Sequence, residues 1–235
     1  FSHLGRDAFV DSQERFENLL DVLDHAGLAV LWIDNQSGCK GVCDRVPHAS
    51  TRDAALPASP AASVCDGGEC FDEAMLLGID ARLAALASER RKRGVVLVLH
   101  QMGSHGPAYA RRSPAEQKRF MPECASSKLT DCTPEQLDNA YDNSIAYTDR
   151  FLSQVLHWVE DKSHLGDYDS GLIYVSDHGE SLGERGLYLH GLPYALAPEQ
   201  QTRVPMVAWL SKNLQQRAGV FMPCLRGRTD VALSH

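Results

Sequence analysis

Three places in this 235-residue chain set chemistry-bearing side chains at the end of an apolar run. The run Gly171-Leu172-Ile173-Tyr174-Val175 delivers Asp177 and His178, then Gly179, Glu180 and Glu184, and His190 follows in Tyr188-Leu189-His190-Gly191. A β-branched run reads as a buried strand, and in open α/β sheets sites lie beyond the carboxyl ends of strands. One carboxylate oxygen and two imidazoles suit zinc or a similar divalent ion, the alternative being a polar turn that ends the strand. The glycine after the pair is expected to let the backbone turn sharply. A second run, Val95 to Leu99, leads into His100-Gln101-Met102-Gly103-Ser104-His105-Gly106-Pro107. His105 is the better ligand there, because glycines flank it, whereas His100 reads as the last residue of its strand. A third run, Leu28 to Ile33, ends in Asp34-Asn35-Gln36-Ser37-Gly38-Cys39-Lys40-Gly41, where Lys40 either meets a phosphate or is an ordinary solvated lysine. Glu180 and Glu184 read as solvated carboxylates, with orientation of the imidazoles as the alternative.

Composition narrows the function. The formal net charge is −8, which disfavours nucleic acid as a partner; the one basic cluster, Arg90-Arg91-Lys92-Arg93, ends a helix-like stretch. No run of about 18 apolar residues is present to span a membrane, and Phe1 to Asp7 lacks the apolar core of a signal peptide. Six of the seven cysteines form close pairs in loop-like sequence: Cys39 with Cys43, Cys65 with Cys70, Cys124 with Cys132. Such pairs point to disulfides made in an oxidising compartment, since a zinc ribbon needs shorter and more regular spacings. Cys224 is then either a buried thiol or paired outside the chain. No G-x-x-x-x-G-K phosphate loop and no G-x-S-x-G elbow occurs, so P-loop and serine-esterase chemistry are unsupported.

The elements that must position these residues alternate. Asp11 to Ala26 reads as an amphipathic helix burying Phe16, Leu19, Leu20 and Leu23, with Gly27 as its stop. Thr51 to Ser63 reads as a surface loop, Glu69 to about Arg93 as a helix ended by Gly94, and Arg111 to Thr130 as irregular. Thr133-Pro134-Glu135-Gln136 has the form of a capping box opening a helix that runs to about Asp161. Leu137, Tyr141, Ile145, Thr148, Leu152, Val155 and Val159 mark its inner face. A last strand lies within Arg203 to Leu210. Helices alternating with strands predict an α/β/α sandwich with a largely parallel sheet, in one domain without internal repeats.

At these motifs the chain resembles a known family. Ser176 to Glu184, Leu189-His190-Gly191, the His100 to Pro107 loop and Asn139-Ala140-Tyr141-Asp142-Asn143-Ser144-Ile145 are together similar to the lipid A phosphoethanolamine transferases of the mobile colistin resistance type. These belong to the alkaline phosphatase superfamily, so the resemblance implies an alkaline-phosphatase-like (sulfatase-like) fold. It further implies a zinc-dependent enzyme at the periplasmic face of the inner membrane. Phosphoethanolamine would pass from phosphatidylethanolamine, through a threonine nucleophile, to lipid A, with polymyxin resistance as the result. By the same resemblance Asp177 and His178 are two of four ligands of the principal zinc. His105 and His190 hold the phosphoethanolamine group or a second zinc, and Lys40 and Ser37 belong to the substrate-binding loop, where Gln36 departs from the family pattern.

The resemblance also implies that residues 1–235 are a partial periplasmic catalytic domain. The N-terminal membrane domain, the threonine nucleophile and a glutamate ligand would lie before Phe1, leaving the chain alone inactive and marginally stable. Transfer to another envelope glycan, a sulfatase or phosphodiesterase, and a non-catalytic metal-binding domain of the same fold are the competing functions.

Overall fold

The computed structural model describes residues 8, 16–53, 64–66, 68–166 and 168–229. Two compact units are present, one ending at Phe151 and the other beginning at Leu152.

In the first unit helix α1 spans Leu19–His25. Its start is set by a reciprocal cap: the Asn18 side chain accepts from the Leu20 amide (2.8 Å), and Asp21 Oδ2 accepts from the Asn18 amide (2.7 Å). The expected helix from Asp11 is therefore shorter, residues 11–15 lying outside the described ones. Phe16 (50 %) and Leu19 (67 %) are exposed, and Leu20 carries the buried contact, packing with Val30, Cys39, Cys43 and Val46. Strand β1 (Ala29–Asp34) is flanked in parallel by β2 (His48–Ser50) and β5 (Val95–His100), with Asp34 opposite both Ser50 and His100. This order puts the carboxyl ends of β1 and β5, and the loops that leave them, side by side.

Between β2 and β5 lie a small hairpin, β3 (Cys65–Asp66) with β4 (Glu69–Cys70), and helices α2 (Ile79–Ala84) and α3 (Ser88–Arg93). The single helix expected from Glu69 to Arg93 is thus broken. A 3-10 turn over Asp72–Leu76 ends before Gly78, whose φ of +66° is left-handed and interrupts the helix path. The stretch 111–130 holds only isolated 3-10 turns, as its sequence predicts.

Helix α4, Pro134–His164, opens on the predicted capping box: Gln136 Oε1 accepts from the Thr133 amide (2.9 Å) and Thr133 Oγ1 from the Gln136 amide (3.2 Å). Leu137, Thr148 and Val155 are buried on its inner face, but Ile145 is 45 % exposed and Ala140, Asn143, Tyr147 and Phe151 fill the core instead. Asn143 explains the difference. Its side chain accepts from the Arg119 and Phe120 amides and donates to the Phe120 carbonyl and Glu123, which turns that face of the helix inward.

In the second unit β6 (Gly171–Val175) pairs with β9 (Met206–Leu210), and the pairing is antiparallel. A parallel sheet, as expected for the fold, is present as β2–β1–β5, whereas β9 pairs antiparallel with β6 in a sheet of its own. Between β6 and β9 come a two-residue hairpin, β7 (Ser181–Leu182) with β8 (Tyr188–Leu189), and the short helix α5 (Glu199–Thr202). Helices α6 (Lys212–Ala218) and α7 (Met222–Arg226) follow. Among the described residues no helix is long and apolar enough to cross a membrane.

The three predicted disulfides are formed, and Cys224 is an exposed free thiol rather than a buried one. Alkylation of the denatured chain is therefore expected to label one cysteine before reduction and all seven after it. A count above one before reduction, read by intact mass, would contradict this pairing.

Candidate functional site

The Asp177–His178 loop leaves β6 and is pinned from two sides. Ser176 Oγ donates to the His178 carbonyl (2.7 Å), and the Gly179 amide donates to the Gln201 carbonyl (3.0 Å). Gly179 is needed for a reason other than the sharp turn expected of it. Its φ is not among the positive ones, and a Cβ there would stand 2.0 Å from the Gln200 carbonyl oxygen, so only glycine lets the α5 backbone approach. Buried Gln201 completes the clamp by donating to Ser181 Oγ (2.9 Å).

The loop presents Asp177 to solvent, its side chain 76 % exposed, while His178 is 28 % exposed. Asp177 Oδ2 lies 3.8 Å from His178 Nε2. Two ligands of one tetrahedral zinc stand roughly 3.3 Å apart, so this pair needs only a small rotation to hold one ion. His178 Nδ1 donates to the Gly179 carbonyl (3.0 Å), which puts the lone pair of the neutral ring on Nε2. The His190 ring stacks on His178, with centroids 3.8 Å apart, and nitrogens of the two rings approach within 4.8 Å. Both can bear on one ion or one anionic oxygen.

Glu180 is not the solvated carboxylate its sequence suggests. Its side chain is 4 % exposed, and Oε1 accepts from His190 Nδ1 at 3.2 Å, so that His190 too carries its lone pair on Nε2. Glu184 is exposed, and its carboxylate accepts from the Leu182 amide (2.7 Å), closing the β7–β8 turn instead of touching a histidine.

The first unit carries the other candidates. His105 Nδ1 donates to the Gly106 carbonyl (2.7 Å), the same tautomer-fixing arrangement as at His178. Arg112, its side chain 9 % exposed, donates from Nε to the His105 carbonyl (2.8 Å) and pairs with Glu69, which fixes the backbone at the histidine. Lys40 lies between Gly38 and Gly41 in a left-handed conformation (φ +50°) that a lysine adopts only at a cost. Its ammonium folds back on Ser37, donating to Oγ (3.0 Å) and the carbonyl (3.3 Å), so the two predicted loop residues are brought together. The Cys39–Cys43 bridge closes this loop.

Two groups that support these loops went unread in the sequence. Asp34, buried at the end of β1, accepts from His100 Nδ1 (2.6 Å) and from the Gly38 (2.9 Å) and Gln36 (3.1 Å) amides. Burial pushes its carboxyl up, but the His100 and amide hydrogen bonds outweigh that and hold it below the ordinary aspartate value. A carboxyl lowered on folding stabilises the protein above its unfolded value of about 3.9 and loses that contribution as pH falls through the lowered one. The melting-temperature gap between the chain and its Asp34→Asn variant should therefore be widest at neutral pH and close below about pH 3.9; a gap independent of pH would refute this. Asp34 shares the strand-end signal that marked Asp177, so it was findable.

Asp72 was not. This carboxylate, 4 % exposed, accepts from Asn35 Nδ2 (2.7 Å), the Met102 amide (2.8 Å), the Gly103 amide (3.0 Å) and, more weakly, Gln101 Nε2 (3.4 Å). Burial pushes it up while these four bonds pull down, with burial the larger. Asp72 ties the loop after β1 to the loop that carries His105, and Thr51 Oγ1 adds a bond to Asn35 Oδ1 (2.6 Å).

Comparison with known proteins follows the same lines. The sulfatase family model matches residues 2–231. The phosphoethanolamine transferase EptA of Salmonella typhimurium is 45 % identical over 214 residues, which cover 91 % of this chain and 37 % of that protein. The phosphatidylethanolamine transferase Mcr-1 of Escherichia coli is 43 % identical over 217 residues, 91 % of this chain and 39 % of that protein. The crystal structure of the soluble domain of lipooligosaccharide phosphoethanolamine transferase A from Neisseria meningitidis superposes with a TM-score of 0.84 at 39 % identity, covering 97 % of this chain and 64 % of that one. The chain thus spans less than two fifths of the length of these curated relatives, and its α/β architecture is the alkaline-phosphatase-like one. With a family model that takes in nearly all of its residues, the chain belongs to the sulfatase family, and it is similar to phosphoethanolamine transferases along most of its length.

Proposed function

We propose that this chain works within a zinc-dependent transferase that moves phosphoethanolamine from phosphatidylethanolamine to lipid A on the periplasmic side of the inner membrane. The observation that carries this reading is the state of the three candidate histidines. His105, His178 and His190 each have Nδ1 committed to a carbonyl or carboxylate, which turns Nε2 into the ligand nitrogen. A ring fixed in this way is prepared for a metal ion or a phosphoryl oxygen, and the chain is 45 % identical to a protein named a phosphoethanolamine transferase and 43 % identical to one named a phosphatidylethanolamine transferase.

Asp177 and His178 fit the principal zinc by donor type and spacing. When bound there, zinc supplies Lewis acidity that polarises a phosphoryl oxygen. The chain's own residues do the rest. His178 and His190 stand with their rings stacked and a nitrogen of each within 4.8 Å of the other, Glu180 holds His190 in orientation, and in the first unit Lys40 with Ser37 offers a cation and a hydroxyl to a phosphate. Three disulfides suit an oxidising compartment such as the periplasm. Adding an ethanolamine ammonium to lipid A reduces its net negative charge, which weakens the attraction of cationic polymyxins and is the route to resistance.

The test joins this chain to the part of the Salmonella relative that it does not match and expresses the fusion in cells. The expected result is a lipid A mass increase of one phosphoethanolamine and raised polymyxin tolerance, both lost with Asp177→Asn. Unmodified lipid A with the fusion present in the membrane would overturn the reading, and modification of another envelope glycan would redirect it.

A further inference from the structure

We infer that Gln201 is a positioning residue for the His190 imidazole, acting through Glu180 and Ser181. What that position is for rests on the transferase reading, whereas the hydrogen bonds that set it do not.

Gln201 is buried and holds the chain on both sides of Glu180. Its carbonyl accepts from the Gly179 amide (3.0 Å), and its Nε2 donates to Ser181 Oγ (2.9 Å). Its own amide donates to the Pro198 carbonyl (2.9 Å), which fixes the clamp to the start of α5. Glu180, the residue between, is the one whose Oε1 accepts from His190 Nδ1 (3.2 Å). A carboxylate orients a ring only as well as its own backbone is held.

Ser181 carries the effect by a second route. It is fully buried and opens β7, where it pairs with Leu189 of β8, the residue before His190. Leu189 has a left-handed backbone (φ +64°), which a leucine keeps only where its surroundings hold it. Strands of two residues each make too short a ladder to do so alone. The bond from Gln201 to Ser181 ties that ladder to α5.

Stability alone does not account for this side chain. Among the described residues Gln201 Oε1 is buried without a hydrogen-bond partner, a cost that an apolar side chain of the same length would not carry. What glutamine adds over an apolar chain is a directed bond to the strand that delivers His190.

The experiment compares Gln201→Met, which keeps the length and removes the bond, with the unsubstituted chain. Nitrogen NMR of the imidazoles is read on the 235-residue chain at about pH 8, where free histidines are neutral. In the unsubstituted chain His190 and His105 should both carry the proton on Nδ1. In Gln201→Met the His190 proton should spread to Nε2, because a ring released from its partner no longer has one favoured tautomer. His105, whose Nδ1 donates to the Gly106 carbonyl, should not change. In the fusion protein, phosphoethanolamine transfer should fall about tenfold, and adding Gln201→Met to Ser181→Ala should lower it less than about twofold further, since the bond is already gone.

An unchanged His190 tautomer in Gln201→Met, or fully additive losses in the double variant, would overturn the inference. So would a change in all the rings together with a fallen melting temperature, which would make Gln201 a residue of the fold and not of the site. Failure of the transferase reading shows elsewhere, as lipid A left unmodified by the unsubstituted fusion, and the tautomer comparison still decides the role of Gln201.

Discussion

Asp72→Ala is expected to lower the unfolding free energy by about 3 kcal/mol, the largest loss among single substitutions at the supporting residues. The carboxylate accepts three short hydrogen bonds, from Asn35 Nδ2, Met102 N and Gly103 N. Bonds to a charged acceptor contribute about 1.5–3 kcal/mol each, and a buried donor left without a partner costs about 1–3 kcal/mol. Removing a buried charge refunds several kcal/mol of desolvation, which brings the net down from the sum of the bonds. Against a typical total of about 5–15 kcal/mol the remainder is severe. Asp72→Asn should be only partly better, because its amide turns an N–H toward donors that need an acceptor. Urea unfolding gives the measure: the midpoint falls while the slope holds. A loss under about 0.5 kcal/mol, the ordinary effect of a surface change, would show that the tie carries no load.

The second large effect lies at the imidazoles. Glu180→Gln keeps the shape of the side chain and an oxygen able to accept from His190 Nδ1, but removes the charge that favours a bound cation nearby. Partners that orient a metal-binding histidine change metal affinity or activity by about 10–100-fold when altered. We expect a drop in that range for phosphoethanolamine transfer by the fusion protein, with the thermal transition of the chain little changed. Glu180→Ala should fall further, since it also frees the ring to rotate. Because the group is buried and bonded to His190, the result separates orientation from mere surface charge: an equivalent substitution at exposed Glu184 should leave transfer within about twofold, consistent with its solvated position. Equal losses at both positions would remove the orienting role assigned to Glu180.

Both residues show where sequence reading stops. Asp72 follows Cys70 and Phe71 with nothing local to distinguish it, and its partners come from positions 35 and 101 to 103. Glu180 sits in a polar run in which solvation is the ordinary expectation, yet its carboxylate is buried and bonded to His190, ten residues further on. Gly179 teaches the same point. Its glycine was visible, but the reason was not a turn; it was the approach of the α5 backbone.

The sequence by itself determined what depends on neighbours along the chain. The apolar runs at Val95 to Leu99 and Gly171 to Val175 became strands, Thr133 and Gln136 capped α4, and the paired cysteines bridged over short loops. Tertiary structure alone decided the rest: the antiparallel pairing of β9, the break at Gly78, the inward turn of Asn143 in place of Ile145, and the anchoring of loops by Asp34, Asp72 and Glu180. Periodicity and capping report the conformation of a segment. Which distant backbone reaches it, and whether a carboxylate there is solvated or buried against donors, is settled only when the segments pack, because hydrogen-bond partners and desolvation are properties of the assembled site.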